Sequence, residues 1–303
     1  MVATVFLISF SFAEGESCLS TTDVSVEEAQ QRLSSVLGQA KVVSVSEAPI
    51  EGFYEIIVEL RGRKIPIYVD CDFNYLITGE IIDIKKRESL TRKKILELSK
   101  EAVEDKIKKL EKIIGKEKAQ KLKEKVGTAF LEKAKIVDIT GMPKENLVLG
   151  NPNAKIKIYI IEDPECPACA IYHESIEEVL KDRKDIAFGI ILFPLPFHKH
   201  AKGVSYNIIC QKDMNKKQEI LKKSFEHVKN KKSEALKDLQ RKASGDCKKA
   251  EEIINTNMEF FGKKVPIGGT PTTVFPLKNG KGIMISGVLD KETIEEIVDI
   301  LYK

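Results

Sequence analysis

Two cysteines separated by two residues stand in the stretch EDPECPACAIYHE, Glu162 to Glu174, and a histidine follows the second cysteine by four positions. The apolar run KIKIYII precedes the motif and a helical pattern follows it, so both sulfurs fall at the first turn of a helix. There the unpaired backbone N–H groups and the helix dipole favour negative charge. The first cysteine is therefore expected to be the thiolate. Pro167 suits an early helical position, where a missing N–H costs nothing. Cys166 is read as the exposed nucleophile and Cys169 as the resolving thiol one turn inward. Attack on a substrate disulfide would give a mixed disulfide, which Cys169 resolves by net reduction or the substrate's own thiol resolves by isomerisation. The same residues permit a metal reading, with Cys166, Cys169 and His173 joined by His198 or His200 of FHKH. A cysteine pair at a helix start after a strand is more specific for redox work, which leaves His173 as a packing residue. Glu162 could accept protons near the cysteines, although a carboxylate at a strand end is more often exposed.

The elements that must position these residues begin at Lys155. Strand, motif and helix are followed by a second buried strand at 186–193, a long helical region at about 199–261, and the closing stretch IGGTPTTVFPLKNGKGIMISGVLDKETIEEIVDILYK. That stretch reads as strand, Asn279-Gly280 turn, strand and C-terminal helix, the layout of a thioredoxin fold carrying a helical insertion. Thr270-Pro271 then falls where such a fold places a cis-proline facing the cysteines. Upstream, Ser25-Val-Glu-Glu28 reads as a capping box opening a helix to about Leu37. Short apolar runs follow at 41–45, 53–60, 64–69 and 76–84, with ELRGRKI as a hairpin turn on Gly62. Residues 89–135 form a charged helical stretch with an apolar stripe of Leu96, Val103, Ile107, Leu110, Ile114, Leu122, Val126 and Phe130. As one helix it would span about 70 Å; a break at Gly115 would fold it into a hairpin.

The chain has 303 residues, 42% of them hydrophobic, enough for two domains with cores. Its net charge of +4 comes from 50 basic and 46 acidic residues, the excess lying between Lys85 and Lys135; outside that stretch the chain is slightly acidic, which argues against a nucleic-acid surface spread over the protein. MVATVFLISFSFAEG reads as a signal peptide, residues 1–13, cleaved near Ala13, with a buried strand as the alternative. Six cysteines in an exported chain are compatible with stable disulfides, whose pairing the residues alone leave open.

The chain resembles the DsbC and DsbG family of periplasmic disulfide isomerases. The features that carry the resemblance are GFYEIIVELRGRKIPIYVDCDFNYLITGEIIDI, the linker helix, DPECPAC, ILFP at Ile191 to Pro194 and GTP at Gly269 to Pro271. It implies a mixed α+β and α/β chain: a small cystatin-like dimerisation domain at 14–84, a helical linker at 85–136 and a thioredoxin-like catalytic domain at 137–303. It also implies a homodimer, misfolded or oxidised exported proteins as substrates, a membrane electron donor of the DsbD type, and no cofactor. Cys166 and Cys169 take the catalytic positions, and Thr270 and Pro271 those that contact substrate backbone. Cys210 and Cys247 match the family's structural disulfide in the insertion, and a second pair, Cys18 with Cys71, is the expectation that accompanies it. The active-site motif is nearer DsbG and the Cys210/Cys247 pair nearer DsbC, so isomerase and reductase of single oxidised cysteines both stand. A dithiol oxidase, a metallochaperone and a holdase chaperone are the other readings.

Overall fold

The structure, a computed structural model, describes Cys18, residues 24–60 and residues 62–303; the expected signal segment at 1–13 lies outside them. The chain divides into two compact units, Met1–Ala102 and Val103–Lys303.

In the first unit Ser25 caps helix α1 (Val26–Arg32) by accepting the Glu28 N–H at 3.1 Å, and the short α2 (Ser34–Leu37) follows. Strands β1 (Lys41–Glu47), β2 (Phe53–Leu60), β3 (Arg63–Asp70) and β4 (Leu76–Ile77) form one antiparallel sheet in that order. Gly62 turns β2 into β3 at φ +80°, a conformation that side chains resist. Tyr54, Ile56, Val58, Ile67 and Val69 share a core with Ala29 and Leu33, the period of two that one buried sheet face requires. Cys18 and Cys71 are joined, their Cα atoms 5.2 Å apart. The run expected as one strand over 76–84 is instead β4 and a separate β5 (Ile82–Asp83), which pairs with β6 (Glu88–Ser89). The interruption has a local cause. Thr91 Oγ1 accepts the Ile81 N–H at 2.9 Å and donates to the Gly79 carbonyl at 3.4 Å, so a side chain takes up backbone groups that a ladder would have used.

Helix α3 (Leu90–Ile114) starts in the first unit and ends in the second. Gly115, at φ +88°, stops it, and the chain doubles back through α4 (Lys116–Lys121), a π-turn at Leu122–Val126 and α5 (Thr128–Lys133). Gln120 bonds Glu111 across this bend at 2.9 Å, and Lys123 pairs with Glu104. Of the residues read as linker, Val103, Ile107, Leu110, Leu122 and Leu131 lie in the core of the second unit.

That unit is built on a six-stranded sheet of β7 (Lys135–Asp138), β8 (Leu147–Gly150), β9 (Ile156–Glu162), β10 (Ile186–Leu192), β11 (Thr272–Pro276) and β12 (Lys281–Ser286), in the order β7-β12-β11-β9-β10-β8. Only β9 and β10 run parallel. Helix α6 (Pro167–Asp182) makes their crossover, as parallel neighbours need. Ile158 and Ile160 point into one core with Ile176 and Val179 of α6 and with Ile297 and Val298 of the C-terminal helix (Lys291–Tyr302). Ile161, one residue beyond Ile160, joins Phe193, Phe261 and Val274 on the other face. Between β10 and β11 lies the insertion: α7 (Ala201–Cys210), α8 (Met214–Lys229), two 3-10 turns and α9 (Lys249–Glu259), with Cys210 bonded to Cys247. The C-terminal helix is α10.

Candidate active site

β9 ends at Glu162, the chain turns through Asp163-Pro164-Glu165, and α6 begins with Cys166 as its N-cap and Pro167 in the first turn. The Cys166 N–H bonds the Asp163 carbonyl at 3.1 Å, which fixes the entry to the helix. Both cysteines are free thiols. Cys169, one turn along, is closed off completely, and Cys166 is 6% exposed. The expectation of an openly exposed nucleophile is thus corrected, because the Thr270 segment lies over the sulfur and the Cys166 Sγ donates to the Thr270 carbonyl at 3.4 Å. The peptide bond between Thr270 and Pro271 is cis. The structure brings Cys166, Cys169, Thr270 and Pro271 to one place at the ends of β9 and β11.

The two thiols are pushed apart in acidity. Cys166 is lowered to about 6, chiefly by the hydrogen bond its ionised sulfur receives from the Cys169 thiol. Burial works against the lowering, while the Thr270 side chain and the backbone N–H groups of Cys169 and Ala168 add to it. The Thr270 hydroxyl is buried without a partner while Cys166 is a thiol, and so is free to turn to the ionised sulfur. Cys169 is raised well above the ordinary thiol range, first by burial, then by its bond to Cys166 and the charge of Glu162. One sulfur is held ready as a thiolate and the other is kept protonated.

Glu162 is not the exposed carboxylate expected at a strand end. Its side chain is 0% exposed, with Oε1 3.3 Å from His173 Nε2 and Oε2 lacking any hydrogen-bond partner. Its burial follows from β9 being one of the two central strands of the sheet, beneath α6. His173 also packs its ring against Phe225 at 4.6 Å. The two histidines of FHKH are engaged elsewhere: His198 Nδ1 with Asp163 Oδ2 at 2.9 Å, and His200 Nδ1 with Gln240 at 2.8 Å. Among the described residues no group of three or more His, Cys, Asp or Glu side chains is arranged to hold a metal ion. The metal reading therefore lacks a ligand set. Reading the motif alone missed Asp163 and Glu165, although both stand immediately before Cys166, and the buried Tyr172, whose hydroxyl meets Thr273 Oγ1 at 2.8 Å and ties the motif helix to β11.

Two family models match the chain: the N-terminal domain of disulfide bond isomerase proteins over residues 20–92, and thioredoxin over residues 140–299. No curated protein matches it. Among solved structures, it is similar to Wolbachia pipientis alpha-DsbA1, at 17% identity and TM-score 0.43, covering 55% of this chain and 96% of that one. Pseudomonas aeruginosa DsbA2 gives 19% identity and TM-score 0.41, covering 52% of this chain and 95% of its own. Proteus mirabilis ScsC in a compact conformation gives 20% and 0.40, covering 50% and 71%. With a match to more than half its length, the chain belongs to the thioredoxin family, a thiol-disulfide oxidoreductase whose catalytic domain follows an N-terminal domain of the disulfide bond isomerase type.

Proposed function

We propose that the protein isomerises or reduces non-native disulfides in exported proteins, working in the periplasm as a homodimer joined through its N-terminal unit. The observation that carries this reading is the divergence of the two thiols, with Cys166 lowered to about 6 and Cys169 raised, below a chain segment carrying the Thr270 carbonyl. The isomerase-type N-terminal domain supports the same reading.

In the proposed cycle the Cys166 thiolate attacks one sulfur of a substrate disulfide. The new S–S bond forms as the old one breaks, and the second substrate sulfur leaves as a thiolate. A thiolate as stable as Cys166 is also a good leaving group, so a second substrate thiolate can displace it and carry away a rearranged disulfide with no net transfer of electrons. When none arrives, Cys169 loses its proton and attacks Cys166. The substrate then leaves reduced, and the protein keeps the two-electron oxidised pair Cys166-Cys169. Glu162, whose charge acts on Cys169, is the nearby base for that proton. Return to the dithiol needs an external dithiol, proposed as a membrane donor of the DsbD type. Export requires the segment ending near Ala13 to act as a signal peptide. The stable Cys166 thiolate also favours a second reading, net dithiol oxidation, because it stabilises the reduced form of the enzyme.

The deciding experiment is refolding of scrambled, oxidised ribonuclease by catalytic amounts of reduced protein, with Cys166→Ser and Cys169→Ser in parallel. Recovery that needs Cys166 and largely survives loss of Cys169 is expected. No recovery, with small disulfides or sulfenylated thiols still reduced, would move the assignment to a reductase of single cysteines; oxidation of reduced substrates alone would move it to an oxidase. A monomer in sedimentation would remove the dimer.

A further inference from the structure

A strand at the edge of a sheet leaves N–H and C=O groups without ladder partners. β8 is such a strand, with β10 on one side only. Its open side is closed by the start of α8, whose side chains make the bonds that a further strand would have made. The Val148 N–H donates to the Met214 sulfur at 3.4 Å, and Gln218 Nε2 donates to the Val148 carbonyl at 2.7 Å. Lys217 Nζ donates to the Asn146 carbonyl at 2.7 Å. Steps of three and four place residues 214, 217 and 218 on one helix face, so the three bonds act together as a latch. Asn146 carries the fastening inward, its Oδ1 accepting the Leu192 N–H at 2.8 Å at the end of β10. Within the latch the Met214 bond is the weak one, because a thioether is a poor acceptor, and it rests on a side chain that oxidants attack. Met214 is 39% exposed, whereas Met284 is buried and Met142 and Met258 are half-buried.

We propose that Met214 is a reversible oxidation site, and that its conversion to the sulfoxide by a peroxide opens the latch between α8 and the edge of β8. A sulfur lone pair attacks one peroxide oxygen and an S–O bond forms as the O–O bond breaks. The thioether is oxidised by two electrons and hydrogen peroxide is reduced to water. The new oxygen has no room in the latch as it stands. An N–H···O bond takes about 2.7–3.2 Å by itself, and the 3.4 Å from Val148 N to the Met214 sulfur would have to hold that bond and the S–O bond together. Either α8 moves outward or the oxygen turns aside, and in both cases the Val148 N–H loses its present partner. A methionine sulfoxide reductase reverses the change: its thiol pair becomes a disulfide, water leaves and the thioether returns. The proposal stands on contacts in the insertion and the sheet edge, and does not depend on which thiol exchange Cys166 performs.

The test uses the whole protein with Cys166 and Cys169 first closed into a disulfide, so that neither thiol consumes the oxidant. Hydrogen peroxide is added, and peptide mass spectrometry follows each methionine while NMR follows amide hydrogen exchange at Val148. Met214 is expected to oxidise several times faster than Met142, Met258 and Met284. As it does so, Val148 exchange should rise roughly tenfold, the effect of leaving one buried donor unpaired, and should return to its starting rate after treatment with a methionine sulfoxide reductase. Met214→Leu keeps the apolar bulk and removes the acceptor. Its Val148 exchange should be raised from the outset and should not respond to peroxide. Oxidation of Met142 or Met258 ahead of Met214 overturns the proposal, as does Val148 exchange that stays unchanged once Met214 is fully converted. A peroxide response that persists in Met214→Leu overturns it too, since the change would then come from another residue. None of these measurements needs turnover, so failure of the ribonuclease assay and failure of this proposal are read separately.

Discussion

Replacing Cys169 with alanine removes the largest of the contacts that lower Cys166, the hydrogen bond donated by the buried thiol. With Cys166 lowered from 9.0 to about 6, about nine-tenths of it is thiolate at pH 7, against about one-hundredth for an ordinary thiol. The remaining donors, Thr270 and the backbone N–H groups of Ala168 and Cys169, stay in place. Cys169→Ala is therefore expected to raise the midpoint by roughly one unit and to cut the thiolate at pH 7 to about half. Stopped-flow alkylation of the reduced protein across pH measures this directly, since the closed-off Cys169 does not compete. The same acidity has a stability consequence. Cys166 is an acid whose folded midpoint lies below its ordinary value, so its contribution to the reduced fold is whole above about pH 9, shrinks as pH falls and is gone below about pH 6. A wild-type inflection near 9, or a Cys169→Ala curve that overlays the wild type, would refute the account of the thiolate.

Three further outcomes follow from other parts of the second unit. Glu162→Gln should leave formation of a Cys166 mixed disulfide with thionitrobenzoate unaffected but slow its release by Cys169 roughly a hundredfold, because the nearby base for the Cys169 proton is gone; equal release rates would remove Glu162 from the step. Converting Cys210 and Cys247 together to alanine opens a loop of sequence separation 37 and should cost about 4 kcal/mol in urea unfolding, and a loss under about 1 kcal/mol would contradict the entropic estimate. Thr273→Val leaves the buried Tyr172 hydroxyl without its partner and should cost about 1–3 kcal/mol, whereas the double change with Tyr172→Phe should recover most of it; a double variant no more stable than the single one would show that the bond is not the cause.

The parts legible in the sequence are those fixed by short-range rules. Cys166, Pro167 and Cys169 declare a helix start because only that setting suits a capping residue, a proline and a buried thiol in succession. The apolar run that closes KIKIYII declares a strand buried on both faces, as β9 is. The apolar stripe through Val103, Ile107 and Leu110 was equally plain, but its continuation was not: one glycine costs a helix about 1 kcal/mol, too little to decide between passing through Gly115 and turning there. Strands β7 and β8 went unread because each has four residues and gains its stability from ladder partners, β12 and β10, that are distant in sequence. The split of 76–84 depends on the hydroxyl of Thr91, which no local pattern announces.

The acidic residues of the site were the hardest to read, and the reason is physical. Glu162, Asp163 and Glu165 in succession around a proline look like a solvated turn, since burying a carboxylate costs several kcal/mol unless it finds partners. The partners exist here, but they come from elsewhere: His173 from α6, and Leu195, His198, His200 and Ala201 from the far side of β10. Each of these bonds requires the crossover and the following loop to be already in place, so the charges are tolerated only in the finished fold. That dependence makes the same groups useful. A carboxylate that must be buried to be satisfied also sits where water screens least, so its effect on a neighbouring thiol or imidazole is greatest. The opposite acidities of Cys166 and Cys169 therefore belong to the surrounding loops as much as to the four-residue motif, and a transplanted Cys-Pro-Ala-Cys sequence on a helix without Glu162 and Thr270 should show a smaller separation between the two thiols.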